Sequence, residues 1–162
     1  TEVWIRLARP QDAQGVAAMH ERCSERSRYH RYFTPMNSWR EANLRRVSGG
    51  HRGATLVATT GTGEVIALGN VFPIGPQDES GAEIAVIVDD AFHGRGLGAA
   101  VMRHLVDVAA RLGFASVTAY VLSDNRAMLG LLESMPLPWS PVAEHDLGPS
   151  VVALTAPIAA AT

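Results

Sequence analysis

A chain of 162 residues, 47% hydrophobic and 19% charged, has the length and composition of one ordinary globular core, which excludes a disordered or low-complexity chain. A formal net charge of −2 excludes a general nucleic-acid binder, and no apolar run approaches the ~20 residues that cross a bilayer. Cys23 is the only cysteine, so no intrachain disulfide forms, and the N-terminus, charged at Glu2, Arg6 and Arg9, lacks a signal peptide's apolar stretch. A cytoplasmic protein, or a domain separated from a longer chain, is expected.

Val3, Ile5 and Leu7 alternate with Trp4 and Arg6, the period of a half-buried strand that Pro10 closes. Asp12 then caps a helix running to about Cys23, with Val16, Ala17, Met19 and His20 as its inner stripe. From Ser24 to Met36, Arg26, Arg28 and Arg31 mix with Tyr29, Tyr32 and Phe33 before Pro35, which suits a loop or short helix. Ser38 and Glu41 form a capping box for a second helix through Leu44 and Val47 to Gly49 and Gly50. Residues 54–60 and 65–72 read as a hairpin over the turn 61–64, followed by a loop rich in Pro, Gly and acid at 73–81. Ala82 to Val88 is apolar at nearly every position after Glu83, as in a strand covered on both faces.

Leu97, Val101, Leu105, Val108 and Leu112 recur at helical spacing and predict a helix from Gly96 that ends at Gly113. Residues 116–122 form another strand and Asn125 to Ser134 a short helix, with weaker strand signals at Val142–Leu147 and Val151–Thr155. Strand, helix and strand from 82 to 122 make a crossover between parallel strands. No internal repeat is present.

His93 to Gly98, HGRGLG, lies between a strand and a helix, where the first helical amides lack an intrahelical partner and form an anion site. Gly94, Gly96 and Gly98 permit unusual torsions and close approach of a phosphate. The spacing matches neither GxxxxGK[ST] nor GxGxxG, so an ATP-binding loop ranks last among the readings.

The stretch AEIAVIVDDAFHGRGLGAAVMRHLVDVAARLGF resembles the coenzyme A signature of GNAT acetyltransferases, (Q/R)xxGx(G/A), with His93 where Gln or Arg is usual. The resemblance reaches weakly from Val3 to about Met135. It implies an α/β fold, a single GNAT-type domain over 1–162 with a mixed, twisted sheet of six or seven strands and about four helices. It also implies acetyl-coenzyme A as co-substrate: Val86, Ile87 and Val88 along the pantetheine arm, His93, Gly94, Arg95, Gly96, Leu97, Gly98 and Ala99 at the pyrophosphate, and Asn125 as a further contact. Asn125 is equally a preferred helix cap.

Transfer of acetyl to an amine needs a base for the nitrogen's proton. Glu83 is the only acid within the central strand, where burial raises a carboxyl's pKa; AEIA resembles the stretch carrying a general-base glutamate in bacterial, cyclic AMP-linked protein-lysine acetyltransferases. The plainer alternative places Glu83 at a frayed strand start. Asp89 and Asp90 brace the glycine loop. The family's tyrosine seven residues after the asparagine, which protonates the departing thiolate, is Leu132 here; Ser123 is a candidate substitute.

SERSRYHRYF, Ser24 to Phe33, resembles the acceptor-side stretch of the same protein acetyltransferases. Arg28, Tyr29, Tyr32 and Phe33 are therefore the substrate candidates, with packing aromatics as the alternative. A protein lysine is the leading acceptor, a small amine the runner-up, and a coenzyme A module without turnover the third reading. His20, His30, His51, His93, His104 and His145 show no metal-ligand spacing, so no metal is expected. Neither nucleic acid nor membrane is an expected partner, and monomer and homodimer both fit.

Overall fold

In the computed structural model, residues 2–33, 53–74, 80–143 and 150–159 are described. The alternating N-terminal residues form β1 (Val3–Leu7), one edge of a seven-stranded sheet ordered β1-β2-β3-β4-β5-β7-β6. The remaining strands are β2 (Ala54–Thr60), β3 (Val65–Pro73), β4 (Gly81–Val88), β5 (Ser116–Leu122), β6 (Ser140–Pro141) and β7 (Val151–Pro157). The described α-helices are α1 (Ala13–Arg22), α2 (Glu25–Tyr32), α3 (Leu97–Arg111) and α4 (Arg126–Ser134). Neighbouring strands pair antiparallel except β4 and β5, whose parallel pairing follows from the crossover through α3.

Two cores flank the sheet. Leu97, Val101 and Leu105 of α3 pack on Leu56, Ile66, Val71, Ile84, Val86, Val117 and Val121, as the helical spacing predicts. On the opposite face, Val16, Met19 and Cys23 pack on Val57, Val65, Leu68 and Ile87. The α3 contact depends on Gly69 of β3, where an added Cβ would lie 2.7 Å from Val101 Cγ1 and 3.1 Å from Leu105 Cδ1. Gly69→Val is therefore expected to overpack this layer and cost about 1–3 kcal/mol, read as an earlier urea midpoint at unchanged slope.

Two local expectations change and a third narrows. Asp12 does not cap α1 with its side chain; its carboxylate takes Arg6 Nη1 and Nη2, each at 2.7 Å, and the Arg9 amide at 2.7 Å. A bidentate guanidinium outcompetes a single helix amide. Of the strand expected at Val142–Leu147, residues 144–147 lie outside the described residues; Val142 and Ala143 are not strand, the Val142 amide donates to Ala153, and a two-residue strand stands just upstream at Ser140–Pro141. The segment from Ser24 resolves as the short helix α2, started by Ser24 Oγ accepting the Ser27 amide at 3.1 Å. The helix expected from Ser38 lies outside the described residues.

Candidate active site

β4 and β5 pair only over Gly81↔Ser116, Ala82↔Val117 and Glu83↔Thr118. Beyond that row β4 stays paired with β3 through Val88, and β5 stays paired with β7 through Leu122, so the two parallel strands part. The β5-facing backbone of Ile84 to Val88 lacks a strand partner, and buried amides and carbonyls demand one. An extended chain carrying amides, such as pantetheine, suits this opening.

The opening leads to the glycine loop. A 3-10 turn over Asp90–Phe92 is braced by Asp89 Oδ1, which accepts the Ala91 amide at 3.0 Å, while Arg22 Nε donates to Asp89 Oδ2 at 2.9 Å. Gly94 (φ 75°) and Gly96 (φ 79°) adopt the left-handed conformation that glycine tolerates without strain. A Cβ on either would meet nothing within 4 Å, so the surface over both is open. The first α3 hydrogen bond closed by Gly96 runs from Ala100; the amides of Leu97, Gly98 and Ala99 precede it and aim out of the helix start. Together they offer a cradle for pyrophosphate.

Two loop residues play parts other than those expected. Gly98 is not left-handed: its small size admits Leu131 of α4, whose Cδ1 would lie 3.1 Å from an added Cβ. His93 turns back on its own strand, with Nε2 2.8 Å from the Val88 carbonyl, so it donates to the loop and not outward. Arg95 stacks its guanidinium 5.3 Å from the Phe92 ring centroid. With Gly96, Leu97, Ala100, Val3 and Ile5 these two line a groove of about 400 Å³ on the β1 side of α3. Asn125 caps α4, its Oδ1 accepting the Met128 amide at 3.1 Å, which leaves the amide nitrogen for another contact.

Glu83 stands in the last paired row and shares a face with Thr118, on the α1 and α2 side of the sheet. It is half-buried and inside the strand, not at a frayed end. Burial pushes its carboxyl above the ordinary carboxylate range, and the nearby charge of Arg31 pulls it partly back. Thr118 Oγ1 donates to Thr155 Oγ1 at 3.2 Å, away from Glu83.

The α2 helix spans the opening. The Ser24 amide donates to Asp90 Oδ1 at 2.9 Å beside the glycine loop, His30 Nε2 lies 3.2 Å from Asp124 Oδ1 beyond β5, and Arg31 Nη2 donates to Asn70 Oδ1 at 2.9 Å on β3. The four substrate candidates divide. Arg28 is occupied by the last carbonyls of α1, donating from Nη1 to His20 at 2.9 Å and to Cys23 at 3.1 Å. Tyr32 donates to His20 Nε2 at 2.6 Å while His20 Nδ1 donates to Val16 at 2.7 Å, so this ring packs inward. Phe33 closes α2 with φ 63°. Tyr29, 41% exposed, is the one of the four at the surface.

Burial lowers His20 to about 4, keeping it neutral, and pushes the Cys23 thiol up to about 12, which makes neither a working base or nucleophile at neutral pH. Leu132 is wholly buried in the α3-side core, and Ser123 is exposed in the turn after β5. Among the described residues no three His, Cys, Asp or Glu gather as a metal site, and no helix is long and apolar enough to cross a membrane. Sequence reasoning missed Arg31 and Asn70, although a buried asparagine amid VIALGNVF was a visible signal.

A model of the acetyltransferase (GNAT) family matches residues 15–135. The GNAT domain of S. lividans PAT superimposes with a TM-score of 0.84 over 95% of this chain and 89% of that one, at 26% identity. A phosphinothricin acetyltransferase of Sinorhizobium meliloti, in complex with acetyl-coenzyme A, shares the fold with a TM-score of 0.77 over 98% and 90% of the chains, at 17% identity. An acetyltransferase of Pseudomonas aeruginosa is 44% identical over 54 residues, which is 33% of this chain and only 29% of that relative's length. With the parted parallel strands and the glycine loop before α3, these likenesses establish that the chain belongs to the GNAT family of acetyl-coenzyme A-dependent N-acetyltransferases.

Proposed function

We propose that residues 1–162 form one catalytic domain that transfers acetyl from acetyl-coenzyme A to a primary amine, with Glu83 as general base. The observation that carries this reading is the place of Glu83: half-buried, with raised proton affinity, in the row where β4 and β5 part. A carboxylate there takes the proton of the attacking ammonium, the freed nitrogen attacks the thioester carbon, and the carbon–sulfur bond breaks. The unpaired edge of Val86 to Val88 holds the pantetheine arm, the amides around Gly94 to Ala99 hold the pyrophosphate, and the Asn125 amide nitrogen fixes the cofactor beside α4. The second nitrogen proton passes through water to the departing thiolate, since Leu132 offers none.

Protein lysine is the proposed acceptor, supported by the likeness of SERSRYHRYF to the acceptor-side stretch of protein-lysine acetyltransferases. The cytoplasm, where coenzyme A thioesters and reduced thiols coexist, suits this reaction and a lone buried thiol. The test is release of free thiol from acetyl-coenzyme A by purified protein, offered lysine-bearing proteins and small amines in parallel. Acceptor-dependent release is expected and greatest with protein; tight cofactor binding without release from any acceptor would leave a coenzyme A module in its place.

A further inference from the structure

Arg31 stands out within α2 as a guanidinium with no ion pair among the described residues. Its Nη2 donates to Asn70 Oδ1 and its guanidinium lies 4.7 Å from the Tyr32 ring centroid. Its Nε is buried with no partner among the described residues, and no described carboxylate lies within ion-pair distance of it. A guanidinium carries five donors, and one is used among the described residues. Asn70 pairs in register with Ala85 and Phe72 with Glu83, so Asn70 and Glu83 share a face on adjacent strands. Arg31 therefore reaches the catalytic face near Glu83 without neutralising it.

A half-buried guanidinium that makes no ion pair among the described residues, and feels only the longer-range charge of Glu83, is costly and calls for a function. Arg28 Nε is likewise buried without a partner among the described residues, but Arg28 Nη1 is taken by two carbonyls ending α1, whereas Arg31 faces the sheet at Asn70. Arg31 also stands where an incoming amine arrives protonated, and a bare cation would be repelled. Both features are relieved if the acceptor brings an anion with its amine. We infer that Arg31 is an anchor for a carboxylate on the acceptor, so that the amine lies at Glu83 while the carboxylate pairs with the free edge of the guanidinium. The inference rests on the transferase reading. The carboxylate has two sources: an acidic side chain beside a target lysine, or the acceptor's own α-carboxylate.

The anchor is tested by calorimetry on the full chain saturated with coenzyme A, a readout that needs no turnover. One arm compares lysine peptides flanked by Glu with the same peptides flanked by Gln; the other compares free amino acids with their amides. Carboxylate acceptors are expected to bind roughly 10- to 100-fold more tightly in at least one arm, the range of one charged hydrogen-bonded pair. The arm that responds names the source. Arg31→Gln, which keeps a donor for Asn70, is expected to erase the preference without changing coenzyme A affinity, and Arg31→Lys to keep part of it. Equal binding of acid and amide in both arms, or a preference that survives Arg31→Gln, overturns the anchor. A preference intact alongside no thiol release would sustain the anchor and overturn the transferase reading instead.

Discussion

Glu83→Gln is expected to lower acetyl transfer at neutral pH by roughly 10²- to 10⁴-fold while cofactor affinity stays at the wild-type value. The amide nearly matches the carboxylate in shape and keeps Phe72 and Thr118 as its register neighbours, so the loss reports proton transfer and not packing. The pH profile gives the sign. A base must be ionised to act, and burial has raised this carboxyl above the usual carboxylate range, with Arg31 opposing. Activity should therefore fall as the medium is acidified, beginning at a higher pH than an exposed glutamate would give, and the variant should lose this acid limb. Removing the Arg31 charge should move the same limb to higher pH still, because the pull toward the ionised form is gone. His20, the nearest titratable base on α1, is held neutral down to about 4 and does not mimic the limb. Wild-type turnover in Glu83→Gln would place the base elsewhere.

Legibility in the sequence followed the range of the interaction. The alternation of β1, the apolar run of β4 and the stripe Leu97, Val101, Leu105 are local patterns, and each element formed where its period indicated. The glycine loop was legible for the same reason, since a strand, three spaced glycines and a helix are contiguous. What the pattern concealed is set by residues distant in the chain. Asp12 has the chemistry of a cap, but Arg6, brought alongside by the turn after β1, claims it. Gly98 looks like a third left-handed glycine of the loop, but its backbone is not left-handed and its missing side chain makes room for Leu131.

The acceptor face shows the limit most clearly. SERSRYHRYF carries three arginines and two tyrosines, and nothing local distinguishes Arg28, spent on the end of α1, from Arg31, aimed at Asn70 on β3. Only the pairing of β3 with β4 brings Asn70 and Glu83 to one face. Likewise, the parting of β4 and β5 depends on a register that stops at Glu83↔Thr118, which no single strand's composition encodes. Residues that occupy one polar face from four separate elements are assembled by topology, so sequence order cannot rank them.

Gly96→Asp separates the needs of the fold from those of the ligand. Gly96 precedes α3 with a left-handed backbone (φ 79°) that strains any side chain, although Asp and Asn tolerate it better than most residues do. The space over Gly96 is open to at least 4 Å, so no neighbour resists the new side chain. Thermal stability is thus expected to fall only modestly, by about 1 kcal/mol, the cost of a non-glycine residue in the left-handed region. Coenzyme A affinity is expected to fall roughly 100-fold or more, because a unit charge about 4 Å from a phosphate at a partly screened site opposes binding by several kcal/mol. Gly96→Asn supplies the control: similar shape, similar cap and no charge, with a smaller loss. Calorimetry on the three proteins, with thermal unfolding beside it, gives both quantities. If Gly96→Asp binds as tightly as the wild type, the pyrophosphate lies away from this helix start; if Asn and Asp lose affinity equally, bulk rather than charge guards the loop.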